Sequence, residues 1–202
     1  MATLDEDAVD EILYLARANE PVELASYLSE LSAQTKRPSA ELVGAAVDPF
    51  SKNSALHYAA ANGHTDVIKL LFSTSAGKPA AEYINAVNEA GNTPLHWAAL
   101  NGHLDSVKFL VQSGADVTII NQAGHDAVFE AEINDKKDVV DWLLGAVEEL
   151  ESGIGQAGEA SAEDENMDDE DGVAARGSTA TVEGARKQME DMTTGNSASQ
   201  DG

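Results

Sequence analysis

The chain has 202 residues, no cysteine, and 36 acidic against 12 basic side chains, a formal charge of −24. Disulfides and thiolate metal sites are therefore excluded, and an acidic excess of this size argues against a nucleic-acid partner, whose phosphates need the opposite sign. The same field would draw a strongly basic protein from a distance.

The N-terminal string "MATLDEDAVDE" carries acids where a signal peptide needs a basic n-region and an apolar core. The longest uncharged run, Ala90 to Leu104, is too short and too polar to span a bilayer. The expectation is a chain with no membrane partner, placed in the cytoplasm and nucleus.

The first helical segment, "ILYLARANEPVELASYLSEL", falls within residues 10–35. A long connection, "QTKRPSAELVGAAVDP", leads to "NSALHYAAANGHTDVIKLLF", Asn53 to Phe72, inside a second unit near 48–78. A further connection, "STSAGKPAAE", precedes "NTPLHWAALNGHLDSVKFLV", Asn92 to Val111, inside a third unit near 88–118. The second and third strings share eleven of twenty residues at a shift of 39. Moving 33 residues on gives "HDAVFEAEINDKKDVVDWLL", His125 to Leu144, in a fourth unit near 121–150. Moving 43 residues back from the second unit aligns Ala16, Ala18, Asn19 and Leu24 with the same frame. Four copies result, two clear ones flanked by two degenerate ones, as a stacked array with polar end units requires. The links on either side of copy two exceed a 33-residue period and are expected to be longer loops.

The third copy shows how the string builds its structure. Thr93 suits a helix N-cap and Pro94 the first helical position, where no backbone N–H is needed. Leu95, Ala98 and Ala99 give the first helix a small-residue face for close stacking, and Gly102 suits the left-handed residue that ends it. Leu104, Val107, Leu110 and Val111 recur at three- and four-residue spacing, the pattern of a second amphipathic helix. "NEAGN" (Asn88 to Asn92) and "NQAGH" (Asn121 to His125) read as turns at hairpin tips. In copy four Phe129 replaces the signature histidine and "EAE" replaces "AA", so that unit is expected to pack differently. Residues 1–150 hold all ten aromatic side chains, and a domain of this size buries roughly 70% of its extended-chain surface.

Residues 151–202 are of another kind, with 13 acidic and 3 basic side chains and no Phe, Tyr or Trp. Such a segment cannot bury enough apolar surface to offset the entropy of ordering it and reads as a disordered acidic tail. At most a short helix around Val182 to Met192 would form in it.

The 33-residue spacing, "TPLH.AA" and "NGH" together resemble the ankyrin-repeat family. That resemblance implies an all-α solenoid of about four helix-pair repeats, which binds other proteins, catalyses nothing and needs no cofactor. The strings "GNTPLHWAALNGHLDSVK" and "GHDAVFEAE", followed by an acid-rich tail, are similar to the fungal ankyrin-repeat chaperones of ribosome assembly. On that resemblance the partner is a newly made basic ribosomal protein, the KH-domain small-subunit protein number three, escorted by a chain that is a monomer before binding. The alternative is an ankyrin-repeat signalling or transcriptional adaptor.

Other patterns carry less. His57 and His64, like His96 and His103, are seven apart and unaccompanied by cysteine, which suits hydrogen bonding within a stack better than metal ligation. "GIGQAG", Gly153 to Gly158, matches a dinucleotide fingerprint but lacks the strand and helix it needs, and reads as a linker. "DENMDDEDGVAA" (Asp164 to Ala175) opens like a calcium loop but has Asp169 where glycine belongs and Ala175 where glutamate belongs. No nucleophile elbow or phosphate loop is present. "VEELE", Val147 to Glu151, sets acids at a helix C-terminus against the macrodipole, which suits a cationic partner or a solvated face.

Tyr58 and Trp97 follow the signature histidine and read either as core residues or as aromatic anchors of an interface. The variable positions of ankyrin binding surfaces map onto Phe50, Ser51, Asn53, Ala61 and Asn62 in copy two and Glu89, Ala90, Asn92, Leu100 and Asn101 in copy three. In copy four they are Gln122, Ala123, His125, Ile133 and Asn134, and Trp97 and Glu130 adjoin the set.

Overall fold

A computed structural model describes residues 4–74 and 81–156, with side chains as far as Ala146. The described residues form ten helices joined by turns and irregular segments, and the β pairing among them is an isolated bridge between Val47 and Ser54. Four helix pairs carry the repeats: α1 (Glu6–Ala18) with α2 (Pro21–Thr35), α4 (Ala55–Ala61) with α5 (Thr65–Ser73), α7 (Pro94–Asn101) with α8 (Leu104–Gln112), and α9 (Ala127–Ile133) with α10 (Lys137–Gln156). The first helices α1, α4, α7 and α9 pack in one row and the second helices α2, α5, α8 and α10 in another.

Small residues set the first row. Ala59, Ala60, Ala98, Ala99 and Ala131 are fully buried, so neighbouring backbones approach closely, while Ile12, Leu56 and Leu95 fill the space beneath them. The second row contributes Leu24, Ile68, Leu71, Leu110 and Leu143 to the same continuous core. Thr93 caps α7 by accepting the His96 backbone N–H, with Pro94 at the first helical position.

The turn between the two helices of each repeat has one form. The backbone N–H groups of Glu20, His64, His103 and Lys136 reach back to the carbonyls of Leu15, Ala59, Ala98 and Ala131. The residue before each donor is left-handed: Asn19, Gly63, Gly102 and Asp135. This equivalence corrects the frame of copy one, which lies 44 rather than 43 residues before copy two. Asn19 aligned by identity with Asn62, but it takes the place of Gly63, because asparagine tolerates the left-handed conformation a glycine usually fills. Leu13 then stands where His57 stands, and Tyr14 where Tyr58 stands.

Gly63 is needed for space as well as for its φ of 71°, since a Cβ there would lie 2.6 Å from Nδ1 of His103. Gly63→Ala is expected to cost about 1–2 kcal/mol, read as a lower urea midpoint at unchanged slope.

The connections depart from plain loops. The segment between copies one and two contains α3 (Ser39–Ala45), whose Leu42 and Val43 are buried in the core, which is why this stretch is helical and not an open loop. The connection after copy two ends in the single turn α6 (Ala81–Ile84), anchored by buried Ile84. The backbone of α10 continues to Gln156, six residues past the boundary placed at 150, so the Gly153–Gly158 string begins within a helix and not in a linker. The calcium-like string, the 182–192 helix and the rest of the expected tail lie outside the described residues, as do the side chains of Val147 to Glu151.

Candidate partner-binding surface

Three hairpin tips project beside the first-helix row, and each begins with an Asx residue that folds its own turn. The Asp48 carboxylate accepts from the Phe50 and Ser51 backbone N–H groups at 2.9 and 2.7 Å. The Asn88 side-chain oxygen accepts from Ala90 and Asn92 at 3.0 and 2.9 Å, and that of Asn121 from Ala123 and His125 at 3.0 Å each. The Asp48 carboxyl is held below its ordinary range, first by the Ser51 N–H, against a partial burial penalty, with help from Phe50 and Tyr58.

The tips are laced to one another. Glu89 N–H donates to the Ser51 carbonyl at 2.9 Å and Gln122 N–H to that of Ala90 at 3.1 Å. Side-chain amides repeat the pattern, Asn88 donating to Asn53 at 2.9 Å and Asn121 to Asn92 at 2.7 Å. Such cross-linking holds the exposed tips at fixed spacing, which lowers the entropic cost of docking a partner.

All five histidines are engaged within the protein. The Ser54 N–H donates to Nδ1 of His57, so Nε2 carries the proton and donates forward to the Asn92 carbonyl at 3.0 Å. His96 repeats the arrangement with Thr93 and the His125 carbonyl at 3.1 Å. His64 and His103 reach the other way, to the carbonyls of Arg17 and Ala61 at 3.0 Å each. The seven-residue spacing thus supplies one brace to the next repeat and one to the previous. His125 pairs with Glu130 at 3.1 Å. Burial lowers the pKa of His57 to about 4 and that of His96 in the same direction.

Most of the sequence-derived binding residues fall into three groups, with Glu130 and Trp97 apart from them. Phe50, Glu89 and Gln122 are exposed at the tips, with Phe50 86% accessible, and Leu100 and Ile133 extend along the ends of α7 and α9. Asn62, Asn101 and Asn134 are exposed, but their amides donate to the carbonyls of Tyr58, Trp97 and Glu130, closing the helix ends. Ser51, Asn53, Asn92 and His125 are half-buried and hold the hairpins together. Glu130 is buried, its carboxylate accepting from Asn121 at 2.8 Å, which makes it an internal brace of the last hairpin and not a contact point. Trp97 is half-buried with its indole N–H unpartnered.

Two features escaped the sequence. Tyr14, 55% exposed, joins Tyr58 and Trp97 as the equivalent residue of copy one and completes an aromatic row along α1, α4 and α7. The frame error concealed it. Val87 and Ile120, 54% and 64% exposed, each precede the Asn that opens a hairpin and add apolar surface beside the tips. Their signal was an apolar residue in the same place in two successive copies.

Stacked helix pairs, tied hairpins and histidine braces define an ankyrin-repeat array, and a family model described as "Ankyrin repeats (3 copies)" matches residues 7–121 and 83–153. The chain belongs to the ankyrin-repeat family. It is 40% identical over 146 residues to ankyrin repeat-containing protein YAR1 of Saccharomyces cerevisiae, covering 70% of each chain. It also matches a chain of the crystal structure of the yeast ribosomal protein Rps3 in complex with its chaperone Yar1. That match has 37% identity and a TM-score of 0.61, covering 71% of this chain and 95% of that one.

Proposed function

We infer that this chain is a dedicated, non-catalytic chaperone of the small-subunit ribosomal protein corresponding to yeast Rps3. The observation that carries the reading is the 40% identity to Yar1 over 146 residues, 70% of each chain. The charge supports it, since −24 on the chaperone stands in for the RNA that a newly made ribosomal protein lacks. An escort of this kind meets its cargo in the cytoplasm and follows it to the nucleus.

The hairpin tips and first-helix residues are the proposed grip, with Trp97 as anchor and Glu89 as a charge facing basic cargo. The test is binding of purified Rps3 to the full chain in low and high salt. Trp97→Ala and Glu89→Lys are each expected to weaken binding about tenfold or more, with wild-type circular dichroism retained. Affinity should fall as salt rises, because the steering charges are screened. Unchanged affinity in both folded variants would move the grip elsewhere, and failure of Rps3 to bind the wild-type chain would sink the chaperone reading.

A further inference from the structure

The sequence places the candidate surface in copies two to four, yet the strongest charge asymmetry among the described residues is in copy one. Residues 4–35 contain eight carboxylates and a single cation, Arg17. Tyr27, on α2, registers this field: its phenol is pushed above the ordinary value by burial and then by Glu11, Asp5, Asp7 and Glu30.

Between α1 and α4 lies an open cavity of about 280 Å³. Asp10, Leu13, Tyr14 and Arg17 line it from one face of α1, at the three- and four-residue spacing of a helix stripe, and Asp48 and Tyr58 close it from copy two. Leu13 is 7% exposed and forms an apolar floor, Tyr14 and Tyr58 supply rings, and Asp10 and Asp48 supply negative charge. The guanidinium of Arg17 already stands 5.7 Å from the centroid of the Tyr58 ring. Among the described residues it forms no salt bridge and donates no side-chain hydrogen bond. Its backbone carbonyl, which accepts from His64, does the structural service at this position.

Rings and carboxylates around an open cavity suit a cationic side chain, attracted by the ring quadrupole and by charge together. We propose that the cavity between α1 and α4 receives a lysine or arginine side chain of the bound partner, and that Arg17 occupies the place of that cation in the free protein. The proposal rests on the chaperone reading for its partner, and it extends the grip to a repeat where sequence comparison placed none. Arg17 is then a built-in competitor: it satisfies the rings of the empty site and must swing out when cargo docks.

Removal of the competitor is the distinctive test. Arg17→Ala is expected to bind Rps3 about two- to five-fold more tightly than wild type. Lys69→Ala, which removes one positive charge from α5 away from the cavity, controls for the change in net charge. Tyr14→Ala is expected to weaken binding by a similar factor, and because Tyr14 is more than half exposed the fold should survive. If Rps3 binds wild type, but Arg17→Ala matches Lys69→Ala and Tyr14→Ala matches wild type, the cavity proposal is overturned and the chaperone reading stands. If Rps3 binds none of them, the chaperone reading falls, and the cavity is judged by titrating N-acetyl-arginine amide into the Arg17→Ala protein. Shifts of the Tyr14 and Tyr58 ring protons that Asp10→Asn diminishes would sustain the cavity, and their absence would overturn it.

Discussion

His96→Ala should cost about 3–5 kcal/mol, a large share of the roughly 5–15 kcal/mol by which single domains are stable. The ring is 2% exposed at the centre of the stack, so its removal leaves a cavity. It also strands polar groups on both sides: the Thr93 N–H, which donates to Nδ1 at 3.2 Å, and the His125 carbonyl, which accepts from Nε2 at 3.1 Å. His96→Phe separates the two contributions, because it keeps the volume and drops the bonds, and about 2 kcal/mol of loss is expected there. Copy four shows what that replacement entails. Phe129 occupies the equivalent position at 38% exposure, its ring tilted by 43° against that of His125 with centroids 4.3 Å apart, and Asp126 caps the helix by accepting the Phe129 N–H at 2.8 Å. Within the described residues no hairpin follows α10 for a histidine of copy four to brace. Urea unfolding of the three proteins at pH 7.5 measures both differences, and equal midpoints for wild type and His96→Phe would show that the forward brace adds nothing.

The legible part of this molecule was the part in which one residue type answers one physical need. Thr93, Pro94 and Gly102 announce a cap, a first turn and a left-handed stop, and the structure places each there. The pair spacing of histidines could be read as structural because no second ligand type accompanied them, although their opposite directions could not be read. Errors arose where two residue types satisfy the same need. Asn19 fills a glycine's conformation, and so the identity-based alignment slid by one residue and hid Tyr14 from the aromatic row. Glu130 illustrates the converse. It follows Phe129 as Trp97 follows His96, yet its carboxylate turns inward to Asn121 and His125, a choice set by hairpin geometry and invisible in the local string. The helix α3 was missed because its seven residues gain their stability from Leu42 and Val43 in the shared core, a tertiary contribution that local propensity does not record.

The same buried histidines make the stack sensitive to acid, and His57 should dominate. Its ring is 1% exposed, and burial lowers its pKa to about 4 against the carbonyls of Asn92 and Ala86, which favour the protonated form, while His96 adds to the lowering. In the unfolded chain the same group titrates at about 6.5. Above that value neither state binds the proton and the full contribution to stability is present. Between about 6.5 and 4 only the unfolded chain takes the proton, so stability is lost as pH falls, and below 4 the loss levels off. From pH 7.5 to 4.5 the expected loss from this one group is about 2.5 kcal/mol, and His96 acts in the same direction. The acidic surface works against it, since protonating carboxylates relieves the repulsion of a chain at −24. Wild type alone therefore shows only the sum of the two effects. His57→Gln isolates the first: the variant is less stable at pH 7.5, but its deficit relative to wild type should shrink by about 2.5 kcal/mol at pH 4.5. Parallel stability curves for the two proteins would mean that His57 titrates alike in the folded and unfolded chains, and that its ring is far more open to water than the stack of α4 against α7 allows.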